Sequence, residues 1–114
     1  MDTKTNTDTR VARTEALFRE VNERIAERAD LFSSDQASFV CECSDATCTE
    51  RIHAPLDDYE DVRDDGAQFL LAKGHEQVEY ERVIRRFPGF NVVRKVKPAV
   101  RRLVERMNPR AETA

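Results

Sequence analysis

All three cysteines of this 114-residue chain fall within one eight-residue segment, at Cys41, Cys43 and Cys48. Such a group is a poor disulfide framework, because the odd number strands one thiol and the loop that a bridge closes would be very small. Thiolates are, however, the ligands that zinc prefers, together with imidazole. The spacing CxCxxxxC therefore predicts a structural zinc site in a tight turn. Redox-sensing thiols and cysteines that serve only for packing are the alternatives.

Two histidines compete for the fourth position of a tetrahedral site. His53 lies five residues after Cys48 on a predicted strand, where the direction of its side chain depends on the strand register. His75 follows Gly74, which allows a sharp backbone turn, and it leaves a strand end as the cysteines do. We therefore favour His75 over His53. The predicted site holds one structural Zn²⁺ per chain, with the ligands Cys41, Cys43, Cys48 and His75.

The same ligand set argues against catalysis. Four protein ligands leave zinc no open position for a reactive water, and a catalytic cysteine needs a base and an orienting group around one thiol. Zinc deaminases place an HxE motif ahead of a PCxxC pair, whereas here the cysteines come first and His75 and Glu76 are adjacent. We therefore expect a protein that is not an enzyme.

The composition fits a small domain that needs such a metal. Hydrophobic residues make up 39% of the chain and charged residues 36%. This composition allows one small hydrophobic core and is too apolar for a disordered chain. Structural zinc contributes roughly 10–16 kcal/mol of binding free energy in small peptides, and this becomes folding free energy when no site is preformed. No apolar run is long enough to span a membrane, and residues 1–10 are too polar for a signal peptide. We expect a cytoplasmic protein with reduced thiols.

Hydrophobic periodicity predicts an α+β domain over residues 10–97, with a small, mostly antiparallel sheet of about five strands. Residues 1–9 lack an apolar anchor and are expected to be disordered. An amphipathic helix over 10–32 follows, with an apolar stripe at Phe18, Val21, Ile25, Ala29 and Phe32. The remaining predicted elements are strands 38–42, 49–54, 68–72, 81–86 and 90–95, a short helix over 56–63, a basic amphipathic helix over 98–109 and a disordered tail over 110–114. Pro88-Gly89 favours a hairpin between the last two strands, and a helix from His75 to Phe87 is the alternative.

Charge is segregated along the chain. Residues 82–110 carry ten basic residues and one acidic residue, whereas the rest carries nine basic and twenty-one acidic residues. This pattern predicts either an anionic partner for the basic end or two halves that neutralise each other in the folded chain.

Several short segments resemble a family of small uncharacterised actinobacterial proteins that have a CxCxxxxC cluster and a downstream GHE motif. The resemblance covers about residues 10–96 and rests on segments 39–43, 48–52, 59–60, 69–72, 74–76 and 92–93. It implies that Cys41, Cys43, Cys48 and His75 belong to one shared site, and it implies no particular activity.

The leading functional interpretation is a zinc-stabilised regulatory or protein-interaction module. Its partner, another protein or a second copy of the chain, would contact the first helix. Nucleic-acid binding through residues 82–110 and a zinc-thiolate redox switch are the alternatives.

Overall fold

The computed structural model describes residues 3–110 and shows the predicted α+β class. Two predicted elements, the short helix over 56–63 and the strand over 81–86, have the bounds expected from the sequence. The elements in chain order are α1 (Thr3–Leu31), β1 (Gln36–Val40), β2 (Arg51–Pro55), α2 (Leu56–Arg63), β3 (Gln68–Leu71), β4 (Glu81–Arg86), β5 (Asn91–Lys95) and α3 (Pro98–Arg106).

The five strands form two antiparallel sheets. β1 pairs with β2, and the second sheet has the order β3-β5-β4. The chain after β1 joins the two sheets, because the Glu42 N–H donates to the Leu70 carbonyl over 2.8 Å. The segment 41–43 therefore runs beside β3, at the edge opposite β5.

The β4–β5 hairpin confirms the turn at Pro88-Gly89 and shows that the alternative helix from His75 to Phe87 is wrong. The Phe87 N–H donates to the Phe90 carbonyl over 2.9 Å and closes the turn. The two phenyl rings stack with centroids 4.6 Å apart. β4 is the edge strand of this sheet, and a β-bulge between Val83 and Arg85 shifts its register against β5.

The core lies where α1, α2 and α3 meet the two sheets. Phe39 of β1 stacks on Tyr59 of α2 with ring centroids 4.4 Å apart, and both are fully buried. Val100 and Val104 of α3 are also fully buried. The basic C-terminal helix is thus an integral part of the core, although it ends at Arg106 and not at the predicted residue 109.

The face of α1 that packs on the protein is mainly polar, which differs from the predicted apolar stripe. Phe32 is 78% exposed and Val21 is 39% exposed, whereas Arg19 and Asn22 are buried. Arg19 donates to the carbonyls of Gly66 and Val104 over 2.8 and 2.7 Å. The helix therefore attaches through hydrogen bonds to carbonyl groups of distant segments, and part of its apolar stripe faces solvent.

The N-terminal prediction also needs correction, because α1 begins at Thr3, within the segment expected to be disordered. Asp8 accepts a hydrogen bond from the Lys97 Nζ over 2.8 Å, and Val11 packs into the core. These contacts attach the first turns of the helix to the start of α3. Residues 1, 2 and 111–114 lie outside the described part, as do the corresponding parts of the two terminal predictions.

Buried cations surround Phe69 of β3. The Arg19 guanidinium, the Lys95 ammonium and the Arg63 guanidinium lie 4.8, 5.3 and 5.7 Å from its ring centroid. Lys95 also binds the carboxylates of Glu15 and Glu81, and all three side chains are at most 2% exposed. Buried charges of this kind are tolerated only when they are paired, so these ion pairs fix α1, β4 and β5 relative to one another.

Candidate metal centre

The structure brings together the four residues predicted as ligands. The Sγ atoms of Cys41, Cys43 and Cys48 and one ring nitrogen of His75 all lie within 4.8 Å of one another. Cys41 and Cys43 are buried, and Cys48 and His75 are half-buried. This group is compact enough to hold one metal ion.

The two sulfur–nitrogen separations within the group fit a tetrahedron. The Nδ1 atom of His75 lies 3.5 Å from the Cys41 sulfur and 3.6 Å from the Cys48 sulfur. A tetrahedral zinc with Zn–S of about 2.3 Å and Zn–N of about 2.0–2.1 Å would separate a sulfur and a nitrogen by about 3.6 Å. These distances make Nδ1 the ring nitrogen of His75 that faces the two sulfurs.

Cys41 and Cys43 owe their common direction to the extended segment that follows β1. Side chains of an extended chain alternate between its two sides, so residues 41 and 43 share one side and Glu42 takes the other. The backbone hydrogen bond from Glu42 to Leu70 holds this segment against β3. The Ala72 N–H then donates to the Cys41 sulfur over 3.2 Å, a contact that stabilises a thiolate.

Glu42 anchors the extended segment between the two cysteines, a role that was not identified from the sequence. Its fully buried carboxylate accepts two hydrogen bonds from Arg63, at 2.8 and 3.1 Å. It also accepts one from Asn22 at 2.7 Å and one from the Leu70 N–H at 2.9 Å. A single carboxylate thus ties the ligand segment to α1, α2 and β3. The available signal was a carboxylate between two predicted ligands, because a carboxylate that is buried together with such a segment requires a partner.

A closed loop brings Cys48 back to the first two cysteines. The Asp45 carboxylate accepts hydrogen bonds from the Thr47 N–H and hydroxyl, at 2.9 and 2.7 Å. The Cys48 N–H donates to the Asp45 carbonyl over 3.0 Å, and the Cys41 N–H donates to the Glu50 carbonyl over 3.1 Å. Hydrogen bonds within residues 41–50 therefore shape this loop.

The turn after β3 delivers His75. Gly74 has a φ of +87°, a conformation that residues with a side chain rarely adopt. The His75 N–H donates to the Ala72 carbonyl over 3.1 Å, which closes the turn. Glu76, a candidate for orienting the imidazole, instead accepts a hydrogen bond from the Gly74 N–H.

His53 does not join the cluster. It lies on β2 opposite Ser38, and its side chain is exposed. The buried positions of β2 are Ile52 and Ala54, so the register directs residue 53 away from the core. The structure therefore places His75, and not His53, beside the cysteines.

The pKa values of the three cysteines are shifted within the cluster. The hydrogen bond between Cys41 and Cys43 lowers the pKa of Cys43 to about 5 and raises the pKa of Cys41. Burial raises the pKa of Cys48. The hydrogen-bonded pair thus favours the thiolate form at Cys43 and the protonated form at Cys41. A divalent cation can replace the remaining thiol protons, so metal binding releases protons.

The basic segment over 82–110 is partly neutralised by the rest of the chain, as one sequence interpretation expected. Four of its ten basic residues form ion pairs with acidic residues outside the segment. These are Arg94 with Asp65, Lys95 with Glu15 and Glu81, Lys97 with Asp8 and Glu79, and Arg110 with Glu23 and Glu60. Nucleic-acid binding by the remaining arginines stays a prediction.

No helix within residues 3–110 is long and apolar enough to cross a membrane. Comparison of the chain with protein-family models, curated proteins and solved structures gave no match. The resemblance to an actinobacterial family therefore stays a prediction, and the function has to be inferred from the site.

Proposed function

We propose that this protein is a small, non-enzymatic module in which Cys41, Cys43, Cys48 and His75 hold one structural zinc ion, and that it acts through contacts with other proteins. The observation that carries the metal assignment is the convergence of three sulfurs and one imidazole nitrogen within 4.8 Å. The two sulfur–nitrogen separations of 3.5 and 3.6 Å match the edges of a zinc tetrahedron.

The donor atoms support zinc over other common metals. Thiolates are soft ligands, which disfavours Mg²⁺ and Ca²⁺ because these ions take oxygen ligands. A tetrahedral group of sulfur and imidazole is a usual zinc environment, and its compactness suits one ion better than a cluster of several irons.

A structural role follows from the number of ligands. With four protein ligands the tetrahedron is complete, so a bound zinc would have no position for a reactive water. The ion would instead connect three separate segments, the strand end at Cys41 and Cys43, the loop at Cys48 and the turn at His75. Linking segments in this way supplies stability that a thin core lacks.

The exposed side of α1 supports an interaction role. Leu17 is 63% exposed, and at the end of the helix Leu31 and Phe32 are 80% and 78% exposed. A second copy of the chain is the simplest partner for this surface, and it can be tested by light scattering over a range of concentrations. We expect a dimer that Leu17→Glu weakens more than Arg13→Ala, which makes the same change in charge on the same helix. A monomer at every concentration would contradict the homodimer.

Native mass spectrometry of protein purified without added metal tests the metal assignment. We expect one zinc per chain in the wild type and in His53→Ala, and loss of the zinc in His75→Ala. His53→Ala is the matched control because it removes the same group from an exposed position. A folded wild type without metal, or equal zinc content in the two variants, would contradict the site.

The partial exposure of Cys48 favours a redox switch as a second candidate. Hydrogen peroxide would accept two electrons from two thiolates, so that a disulfide and two water molecules form, two protons are consumed and the zinc ion leaves. A chromogenic chelator can follow this release. Zinc that stays bound during treatment with a few equivalents of peroxide would exclude the switch.

A further inference from the structure

A cleft of about 290 Å³ opens between α1 and α2, on residues that are not part of the metal centre. Ala26 and Leu56 contribute apolar surface to it. Five carboxylates line the cleft, from Glu23, Glu27, Asp30, Asp57 and Glu60. The cleft thus combines a strongly negative lining with a small apolar surface.

An arginine of the chain itself already occupies this lining. The Arg110 Nε and one of its terminal nitrogens donate to the two Glu23 carboxylate oxygens over 2.9 and 3.1 Å. Its terminal nitrogens also donate to the two Glu60 oxygens over 3.1 and 2.7 Å. A guanidinium is the side chain whose planar arrangement of donors can bind two carboxylates at once. The contacts of the Arg110 guanidinium therefore identify a guanidinium as the group that the cleft recognises.

Glu23 makes this recognition more than a surface ion pair. Its side chain is only 8% exposed, and within the described residues Arg110 is its only ion-pair partner. A nearly buried carboxylate that lost this partner would keep an uncompensated charge, so another guanidinium would be attracted to the same position. Asp30 and Asp57 have no ion pair among residues 6–110, and they could bind a second basic group next to the first.

Arg110 can leave the cleft without disrupting a helix or strand. It lies four residues beyond the last residue of α3, after Pro109. We propose that the cleft is the docking site for an arginine of a basic peptide segment in a partner protein, and that Arg110 occupies it as an internal competitor in the free protein. This inference rests on the interaction role proposed above and adds a second contact surface to it, with a basic peptide as the partner class, and its test does not depend on metal binding.

The experiment uses the full chain and Nα-acetyl-arginine amide as the probe, followed by NMR shifts of the Glu23 and Glu60 amides. We expect saturable binding to Arg110→Ala and severalfold weaker binding to the wild type, because the tethered Arg110 side chain competes for the same carboxylates at an effective concentration of roughly millimolar. The corresponding lysine amide should bind severalfold more weakly to Arg110→Ala, since an ammonium lacks the planar fork of donors.

Glu60→Gln in the Arg110→Ala background should weaken probe binding relative to Arg110→Ala alone, whereas Asp61→Asn, an exposed change on the same helix outside the cleft, should not. Arg110→Ala that binds no arginine probe, or binds arginine and lysine equally, would reduce Arg110 to a structural clamp and overturn the proposal. If Arg110→Ala does not fold, excess probe added to the wild type should shift the Arg110 Nε–H signal. An unchanged signal would then overturn the proposal. Zinc content measured on the same samples reports separately on the metal centre.

Discussion

Replacing Glu42 by glutamine is the change that most sharply tests how the fold supports the metal ligands. The substitution keeps the size of the side chain and removes its charge. In the structure, the carboxylate lies between the candidate ligands Cys41 and Cys43 and accepts four hydrogen bonds from Arg63, Asn22 and the Leu70 N–H. One oxygen of the amide can still accept hydrogen bonds from Leu70 and Arg63. The amide nitrogen, however, would face donors of Asn22 and Arg63.

The size of the expected loss of stability follows from the burial of the Arg63–Glu42 ion pair. The side chains of Arg63 and Glu42 are 1% and 0% exposed, so the guanidinium would stay buried without its counter-charge. Removing one partner of a buried ion pair costs about 3–5 kcal/mol. We expect a loss near the lower end, about 3 kcal/mol, because the retained oxygen still accepts some of the hydrogen bonds.

Urea unfolding of the zinc-loaded protein measures this loss. With a slope of about 1–3 kcal/mol per molar urea for small proteins, a loss of about 3 kcal/mol should lower the midpoint by at least about 1 M. Glu50→Gln, at an exposed position on the same loop, is the control and should shift the midpoint little. A loss below about 1 kcal/mol, or equal shifts in the two variants, would refute the anchoring role of Glu42.

Three further predictions concern the turn, the buried ions and the metal. Gly74→Ala should cost about 1 kcal/mol and weaken zinc binding, because φ at this position is +87°. Gly89→Ala should do neither, because Gly89 has equally open space around it but no positive φ. A chelator competition measures zinc binding in both variants, and equal effects would contradict the role of the turn. Burial, opposed by Lys95, raises the pKa of Glu15 from 4.5 to about 8, so the native state holds more protons than the unfolded state between these values. The stability that this group contributes is therefore complete below about pH 4.5 and is lost as pH rises towards 8, by at most about 1.4 kcal/mol per pH unit. Urea midpoints should fall less steeply with pH in Glu15→Gln than in the wild type, and parallel slopes would contradict this. Removal of zinc with a chelator should lower the melting temperature and speed amide exchange most in the loop around Cys48, and unchanged exchange there would exclude a structural role for the metal.

The cluster of candidate metal ligands could be predicted from the sequence because its signals are local. The cysteines fall within eight residues, and Gly74 next to His75 indicates a sharp turn. The choice between His75 and His53 needed only the strand register, which the structure supplies. The short helix α2 was found for the same reason, since Pro55 directly precedes it and its acidic first turn favours a helix start.

The packing of α1 could not be predicted from the sequence, because the residues that α1 contacts are distant along the chain. Arg19 bonds to Val104, and Asp8 bonds to Lys97, across more than 80 residues. Periodicity identifies an apolar face, but it cannot show that buried carbonyls and charges elsewhere will bind the polar face instead. The anchoring role of Glu42 was missed for the same reason, since its partner Arg63 lies 21 residues away on α2.

X-ray absorption at the zinc edge, on protein purified without added metal, tests the central claim most directly. The structure predicts three sulfur neighbours at about 2.3 Å and one nitrogen at about 2.0–2.1 Å, with the nitrogen lost in His75→Ala and kept in His53→Ala. A zinc ion surrounded by oxygen and nitrogen alone, or a coordination shell that His75→Ala leaves unchanged, would contradict the assignment of Cys41, Cys43, Cys48 and His75 as the metal site.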